Sequence, residues 1–154
     1  MNLRSFFLLL FTGSILACKP RLDSSSVTET IAQFSEATIA HDFTTMMGFF
    51  AKDAIWEATG EGLAFRLEGM DDIRKAFIKN DSVLEVIFQQ TGLPVVKFTS
   101  NNRATSVTSV TELLRFKTTG AIKQVMGIYK DDLVYNGKRW IFVHRRFELR
   151  YSPI

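Results

Sequence analysis

One stretch constrains the fold more than any other: GIYKDDLVYNGKRWIFVHRRF, Gly127 to Phe147. Apolar and polar residues alternate on both sides of Asn136-Gly137, and a two-residue type I′ turn, which needs positive φ at both central positions, favours that dipeptide. The stretch reads as a β-hairpin. Strand-like runs span Val95 to Ser100, Ala104 to Lys117, Ala121 to Tyr135 and Lys138 to Arg150, separated by Asn101-Asn102, Thr118-Thr119-Gly120 and the hairpin turn. Everything after Pro94 is therefore expected to form an antiparallel meander.

Ahead of the meander the period changes. Val27, Ile31, Phe34 and Ala37 recur at helical spacing, predicting a helix from near Ser25 or Ser26 to about Ala40, and Asp42 is placed to cap a second, short one. AIWEATGEGLAFRLEG alternates as strand, turn and strand, and GMDDIRKAFIKN returns to helical period with Met70, Ile73, Ala76 and Phe77 on one face. DSVLEVIFQQTG reads as a further short helix, capped by Asp81 and stopped by Gly92 and Pro94. Helices first and a meander last give an α+β class. The chain of 154 residues suits one domain with a real core.

The N-terminus, MNLRSFFLLLFTGSILACKP, has the order of a signal peptide: Arg4, then an apolar run too short for a comfortable bilayer span, then small residues. ILAC resembles a bacterial lipobox, with cleavage before Cys18 and acylation of its thiol; the alternative is a plain secretory signal with an incidental cysteine. The expected organisation is a signal peptide over 1–17, a serine-rich tether over 18–25 and one folded domain over 26–154. Lipidation would place the protein on the bacterial cell envelope, held to the membrane by its N-terminal lipid; without it the protein would be secreted or periplasmic. Cys18 is the only cysteine, so no intramolecular disulfide can form. The formal charge of +3 includes Arg4 of the leader, and no basic stripe of the kind used on nucleic acid is present.

A two-residue turn at Asn136-Gly137 pairs Leu133 with Trp140, Asp131 with Phe142, Tyr129 with His144 and Gly127 with Arg146, all on one face. A tight turn at Thr119-Gly120 adds Glu112 beside Gly127 and Val110 beside Tyr129, although a one-residue slip would reverse that face. Glycine leaves room between Glu112 and Arg146, which can meet as an ion pair or jointly face a ligand. Tyr129, Asp131 and His144 adjoin them, and general acid/base chemistry needs such a donor and acceptor within reach of one substrate atom. The alternative is a satisfied structural hydrogen-bond network. The opposite face carries Met126, Ile128, Val134, Ile141, Val143, Phe147 and Leu149, which predicts a homodimer built on that face, with Val143 and Phe147 buried in it. His41 reads as a helix-end residue. With two histidines and no carboxylate-rich ligand motif, no metal and no cofactor are expected.

The order of elements, with FFAKDAIWEA, GMDDIRKAF and the spacing of Gly127, Tyr129, Asp131, Trp140 and Arg145, resembles the nuclear transport factor 2-like superfamily, specifically its SnoaL-like branch. The resemblance covers about Val27 to Tyr151 and implies a cone-shaped half-barrel, a curved sheet wrapped around helices with a pocket between. It implies little about chemistry, because the fold hosts dehydratases, isomerases, cyclases, epoxide hydrolases and non-catalytic binders. Catalytic members resemble one another in taking an acid from the first helical region and a histidine near the first meander strand. Here Ile39 stands at the acid position and QQTGLPVVKF holds no histidine.

The reading is thus a lipid-anchored protein binding a small, mostly apolar molecule, with Glu112, Tyr129, Asp131, Trp140, His144 and Arg146 as ligand-binding candidates. The rivals are a lyase, isomerase or hydrolase using His144, Tyr129, Asp131 and Glu112, and a non-catalytic scaffold for protein partners. Replacing Cys18 by alanine is expected to release the protein from membranes and to stop incorporation of labelled fatty acid; unchanged fractionation and labelling would contradict the lipobox reading.

Overall fold

In the computed structural model, which describes residues 23–153, Asp23 opens the fold as the N-cap of α1 (Ser24–Ile39), its Oδ1 accepting from the amides of Ser25 and Ser26 at 3.1 and 3.3 Å. The expected signal peptide, Cys18 and most of the tether lie outside the described residues. Val27, Ile31 and Phe34 bury one side of α1. The helix ends when Asp42 donates its amide to Ala37 O at 3.0 Å, a closure that puts His41 in the left-handed region at a φ of +55°. Asp42 then caps α2 (Phe43–Met47), as its sequence position suggests, accepting from Thr45 N at 3.0 Å. α3 (Met70–Asp81) follows a hairpin of β1 (Phe50–Gly60) and β2 (Leu63–Glu68) and carries Asp71 and Asp72 in its first turn, where the helix dipole favours them.

The remaining strands are β3 (Leu84–Thr91), β4 (Val95–Ser100), β5 (Arg103–Phe116), β6 (Ile122–Tyr135) and β7 (Trp140–Tyr151). The sheet runs β2-β1-β7-β6-β5-β3, and β4 pairs with the stretch of β5 that β3 leaves free. All neighbours are antiparallel except β1 and β7. The curved sheet wraps the helices, an α+β half-barrel of the cone-shaped kind. Phe34 meets Phe49, Phe50 and Phe142 edge-on at 6.1, 5.7 and 5.4 Å, forming the centre of the main core. A second cluster of Ala58, Val110, Val125, Tyr129 and Phe147 lies further along the sheet.

Two expectations are corrected. The segment DSVLEVIFQQTG is a strand, not a helix: only Asp81 belongs to α3, and Leu84, Val86 and Phe88 pair with Phe116, Leu114 and Leu113. Its apolar residues satisfy either period, and the free edge of β5 decides between them. The hairpin turn uses four residues, not two. Asn136 N donates to Arg139 O at 3.1 Å, while Asn136 Oδ1 accepts from Lys138 N and Arg139 N, each at 3.0 Å, so the first pair is Tyr135 with Trp140.

That change shifts the register by two residues and keeps every side chain on its expected face. The β5–β6 hairpin does the same, with Glu112 opposite Val125 and Val110 opposite Gly127. A bulge then alters the outcome. Leu133 faces Phe142 but Asp132 faces His144, so the ladder skips one residue, and beyond it Arg145 and Phe147 turn inward while His144 and Arg146 turn outward. The space over Gly127 is consequently filled by the Phe147 ring rather than bridged by Glu112 and Arg146. A methyl group at Gly127 would collide with that ring, so Gly127→Ala is expected to cost about 1–3 kcal/mol in urea unfolding; an unchanged midpoint would contradict the packing described.

Candidate functional site

A cavity of about 590 Å3 lies between the helices and the inner face of the sheet. Phe34, Thr38 and His41 reach it from α1 and its C-terminal end, Trp56 and Phe65 from the β1–β2 hairpin, and Phe77 from α3. Trp56 stacks on Phe77 at 4.4 Å with 12° between the rings and meets Phe65 edge-on at 4.9 Å. These contacts fix one aromatic wall. The Trp56 Nε1 is buried there without a protein acceptor.

Across the cavity the sheet supplies Gln89, Glu112, Tyr129, Arg145 and Phe147. Arg145 is only 2% exposed. Its guanidinium sits over the rings of Tyr129 at 3.8 Å, Phe142 at 4.4 Å and Phe34 at 4.6 Å, a cage of three π faces. Nη1 stands 3.6 Å from Asp131 Oδ2, within ion-pair range but too long for a hydrogen bond. Arg145 Nε and Nη1, both oxygens of Asp131, and the hydroxyls of Ser106 and Thr108 on β5 are all buried without a hydrogen-bond partner. Such groups cost free energy, and here they cluster on β5, β6 and β7 around the one side chain among them, Arg145, that borders the cavity.

Burial governs the ionisation of this end. It pushes the Asp131 carboxyl up to about 6, against the opposing pull of Arg145. It likewise raises Glu112, against the hydrogen bond that Gln89 Nε2 donates at 2.6 Å and the charge of Arg145. The Tyr129 phenol is raised by burial and then by the neighbouring Glu112 charge, so it keeps its proton. The sheet end of the cavity thus sets the Arg145 cation and the Tyr129 phenol beside the Glu112 and Asp131 carboxyls, both of which burial raises.

The expected site residues divide between three places. Glu112 and Tyr129 line the cavity, and Asp131 lies behind Arg145, fully buried. Trp140 belongs to the main core, where its Nε1 donates to Ser26 Oγ at 2.9 Å. His144 and Arg146 are on the outer face: His144 Nε2 lies 3.0 Å from Glu57 Oε1, its Nδ1 lies 3.1 Å from Arg146 Nη1, and Arg146 Nη2 donates to Asp132 Oδ2 at 3.2 Å. The bulge moved them there, which corrects the expected cluster of Tyr129, Asp131 and His144. Phe147 and Leu149 made the opposite exchange and line the cavity instead of the outer face. Sequence reasoning missed Arg145 as a site residue because an alternation count places it outside, and nothing local announces the bulge.

It also missed His41 and Asp81, which meet at 2.6 Å between Nδ1 and Oδ1 on the cavity wall, forty residues apart in sequence. Lys117 Nζ holds the other Asp81 oxygen at 3.1 Å. Burial works against the charge of Asp81, but the hydrogen bonds from Lys117 and His41 hold its carboxyl below the ordinary value. Among the described residues, no three His, Cys, Asp or Glu side chains converge as a metal site would require.

A curved half-barrel closing over helices around a cavity defines the fold class. Residues 21–146 match the SnoaL-like domain, and the chain belongs to that family. No curated protein matches it significantly. Among solved structures it is similar to a candidate scytalone dehydratase from Novosphingobium aromaticivorans, with 14% identity over 84% of this chain and 85% of that one and a TM-score of 0.74. It is also similar to a ketosteroid isomerase-like protein from Erwinia carotovora atroseptica, with 11% identity over 85% and 98% and a TM-score of 0.75. A candidate aromatic ring hydroxylase from N. aromaticivorans shares 18% identity over 85% and 92%, with a TM-score of 0.72. At these identities the likeness is one of fold.

The raised Asp131 carboxyl has a consequence for stability. In the unfolded chain an aspartate titrates near 3.9, so between about pH 4 and 6 the folded state holds a proton that the unfolded state has lost. The contribution is complete below about pH 4 and is lost as pH rises through about 6, a decline on the order of 3 kcal/mol. Asp131→Asn, neutral at every pH, is expected to flatten that part of the urea-stability profile; an unchanged slope would place the titrating group elsewhere.

Proposed function

We propose that this protein binds a small, mostly apolar molecule in the half-barrel cavity, with an oxygen acceptor of the ligand turned toward Arg145. The observation that carries this reading is the pairing of an aromatic-walled volume of about 590 Å3 with a caged arginine whose side chain borders it. The volume suits a drug-sized or smaller ligand, and convergent donors at one end of an apolar chamber fix orientation more than they add affinity. Tyr129 and the Gln89–Glu112 pair supply further polar contacts beside the cation. The likeness in fold to a candidate scytalone dehydratase and a ketosteroid isomerase-like protein supports a small organic ligand. In this reading the N-terminal leader places the chamber at the bacterial envelope. A second copy would cover the outer face, where Met126, Ile128 and Val134 flank Lys130 and Asp132.

Native mass spectrometry of protein purified from its own host is expected to show a bound small molecule that leaves on mild activation. Leu114→Trp, which places an indole into the cavity from its wall, is expected to abolish that adduct while the protein stays folded. Arg145→Lys loses the planar fork and should weaken binding by about 1.5–3 kcal/mol, the range for hydrogen bonds to a charged group. Ligand-free protein from every preparation, with a melting temperature that no apolar compound raises, would overturn the proposal.

A further inference from the structure

Arg145 and Asp131 belong to one row of the sheet. Ser106 on β5, Asp131 on β6, Arg145 on β7 and Trp56 on β1 are successive Cα partners, and of these four only Arg145 and Trp56 border the cavity. Asp131 stands behind Arg145, and both side chains are sealed from water. Their Nη1–Oδ2 separation of 3.6 Å divides two interactions that usually come together. A hydrogen bond is lost at that distance, whereas Coulomb attraction falls only as the inverse of separation and keeps most of its strength. Asp131 therefore cancels the charge of Arg145 without engaging its Nε or Nη1 hydrogens. No other acid is within ion-pair distance of Arg145 among the described residues. The surrounding wall leaves no excess of cations. Glu112 adds a second carboxyl beside Arg145, Lys123 shares the wall with Glu61, Arg150 is held by Glu148 at 2.6 Å, and Lys117 and His41 share Asp81. Asp132 and Arg146, whose charges reach Asp131 from the outer face, hold one another at 3.2 Å.

We infer that Asp131 sets the charge of the ligand this protein accepts: with Arg145 already matched from behind, the cavity takes an uncharged molecule and rejects carboxylates, sulfonates and phosphates. The inference rests on the cavity being a binding chamber. A guanidinium at the end of an apolar pocket would ordinarily favour an anion. Here an anion would join Arg145 and Asp131 as a further charge in a place sealed from water, and a net charge left in such a place is costly. A neutral ligand leaves the balance of the pair intact. The one relief open to an anion is protonation of Asp131, whose carboxyl burial has already pushed up to about 6 against the pull of Arg145. An anion is thus admitted only with a proton, and the discrimination weakens as pH falls through that value. Glu112, also raised by burial, works in the same direction. Asp131 touches no ligand; it acts through Arg145, as a positioning residue that decides which charge the neighbouring cation can meet.

The test compares 4-butylbenzenesulfonamide with 4-butylbenzenesulfonate, which share a ring, a chain and acceptor oxygens, differ by one charge, and do not titrate near neutral pH. Affinities for the full chain are read by calorimetry. At about pH 8 the sulfonamide is expected to bind at least about tenfold more tightly than the sulfonate. That ratio should shrink as pH falls through about 6. The sulfonate, unlike the sulfonamide, should bind with uptake of a proton, read from its heat in buffers of different ionisation enthalpy. These measurements need no variant to fold. Asp131→Asn raises the charge of the site by one unit at about pH 8, and it should cut the ratio at least about tenfold and flatten its pH dependence. Sulfonate that binds the wild-type chain as tightly as the sulfonamide at about pH 8 overturns this inference and leaves the binding reading intact. So does a pH dependence that persists unchanged in Asp131→Asn, which would assign it to Glu112 or His41. A chain that binds neither probe overturns both.

Discussion

Arg145 is the residue on which the geometry of the site depends. A guanidinium removed from water needs compensation, and this one obtains it from three aromatic faces and from Asp131, which burial keeps near its own titration point. None of this supplies hydrogen bonds to Nε or Nη1. The result is a cation whose charge is balanced and whose donors are not. Truncating one partner of such a pair typically costs on the order of 3–5 kcal/mol, because the other remains buried and unpaired, so the cage is as much a structural commitment as a ligand contact.

The cage exists because β7 contains an extra residue. Without the bulge between the Leu133–Phe142 and Asp132–His144 pairs, strict alternation would send His144 and Arg146 inward and Arg145, Phe147 and Leu149 outward. The observed arrangement puts both phenylalanine and leucine against Ala58, Val110 and Val125 and lets the outer charges find one another, Glu57 with His144 and Arg146 with Asp132. Burial of two apolar side chains is worth several kcal/mol, whereas partly solvated ion pairs contribute about 1 kcal/mol or less. Apolar burial therefore sets the register, and the outer ion pairs follow from it.

Much of the fold was legible because it rests on period. The caps of Asp42, the face of α1 and the meander after Pro94 all follow from residue spacing, and a two-residue error in each hairpin register left every face unchanged. What the sequence did not disclose are events that break a period. The bulge in β7 inserts one residue with no glycine or proline to mark it, and β3 is decided by a partner strand more than twenty residues away. Half of the candidate site shared that fate. Glu112, Tyr129 and Asp131 lie on β5 and β6 and were placed on the correct face, while His144 and Arg146 lie on β7 beyond its extra residue and were not. The His41–Asp81 pair was illegible for a different reason, since it joins two helix ends that meet only after the sheet has curved.

The two polar groups of the cavity differ in how the fold holds them, and that difference bears on what each can do. Arg145 is immobilised on a central strand, caged on several sides, and almost sealed from water, which suits a fixed anchor. The His41 and Asp81 side chains are 30% and 27% exposed, at helix ends rather than within a sheet. Their exposure leaves this pair open to protonation from solvent, which the sealed environment of Arg145 does not. Strain at the left-handed His41 backbone is tolerable there because the Asp81 contact and the helix closure oppose relaxation together. A caged cation on a central strand and a partly exposed histidine–carboxylate pair at two helix ends therefore differ in both access to water and backbone strain, although both border the same cavity.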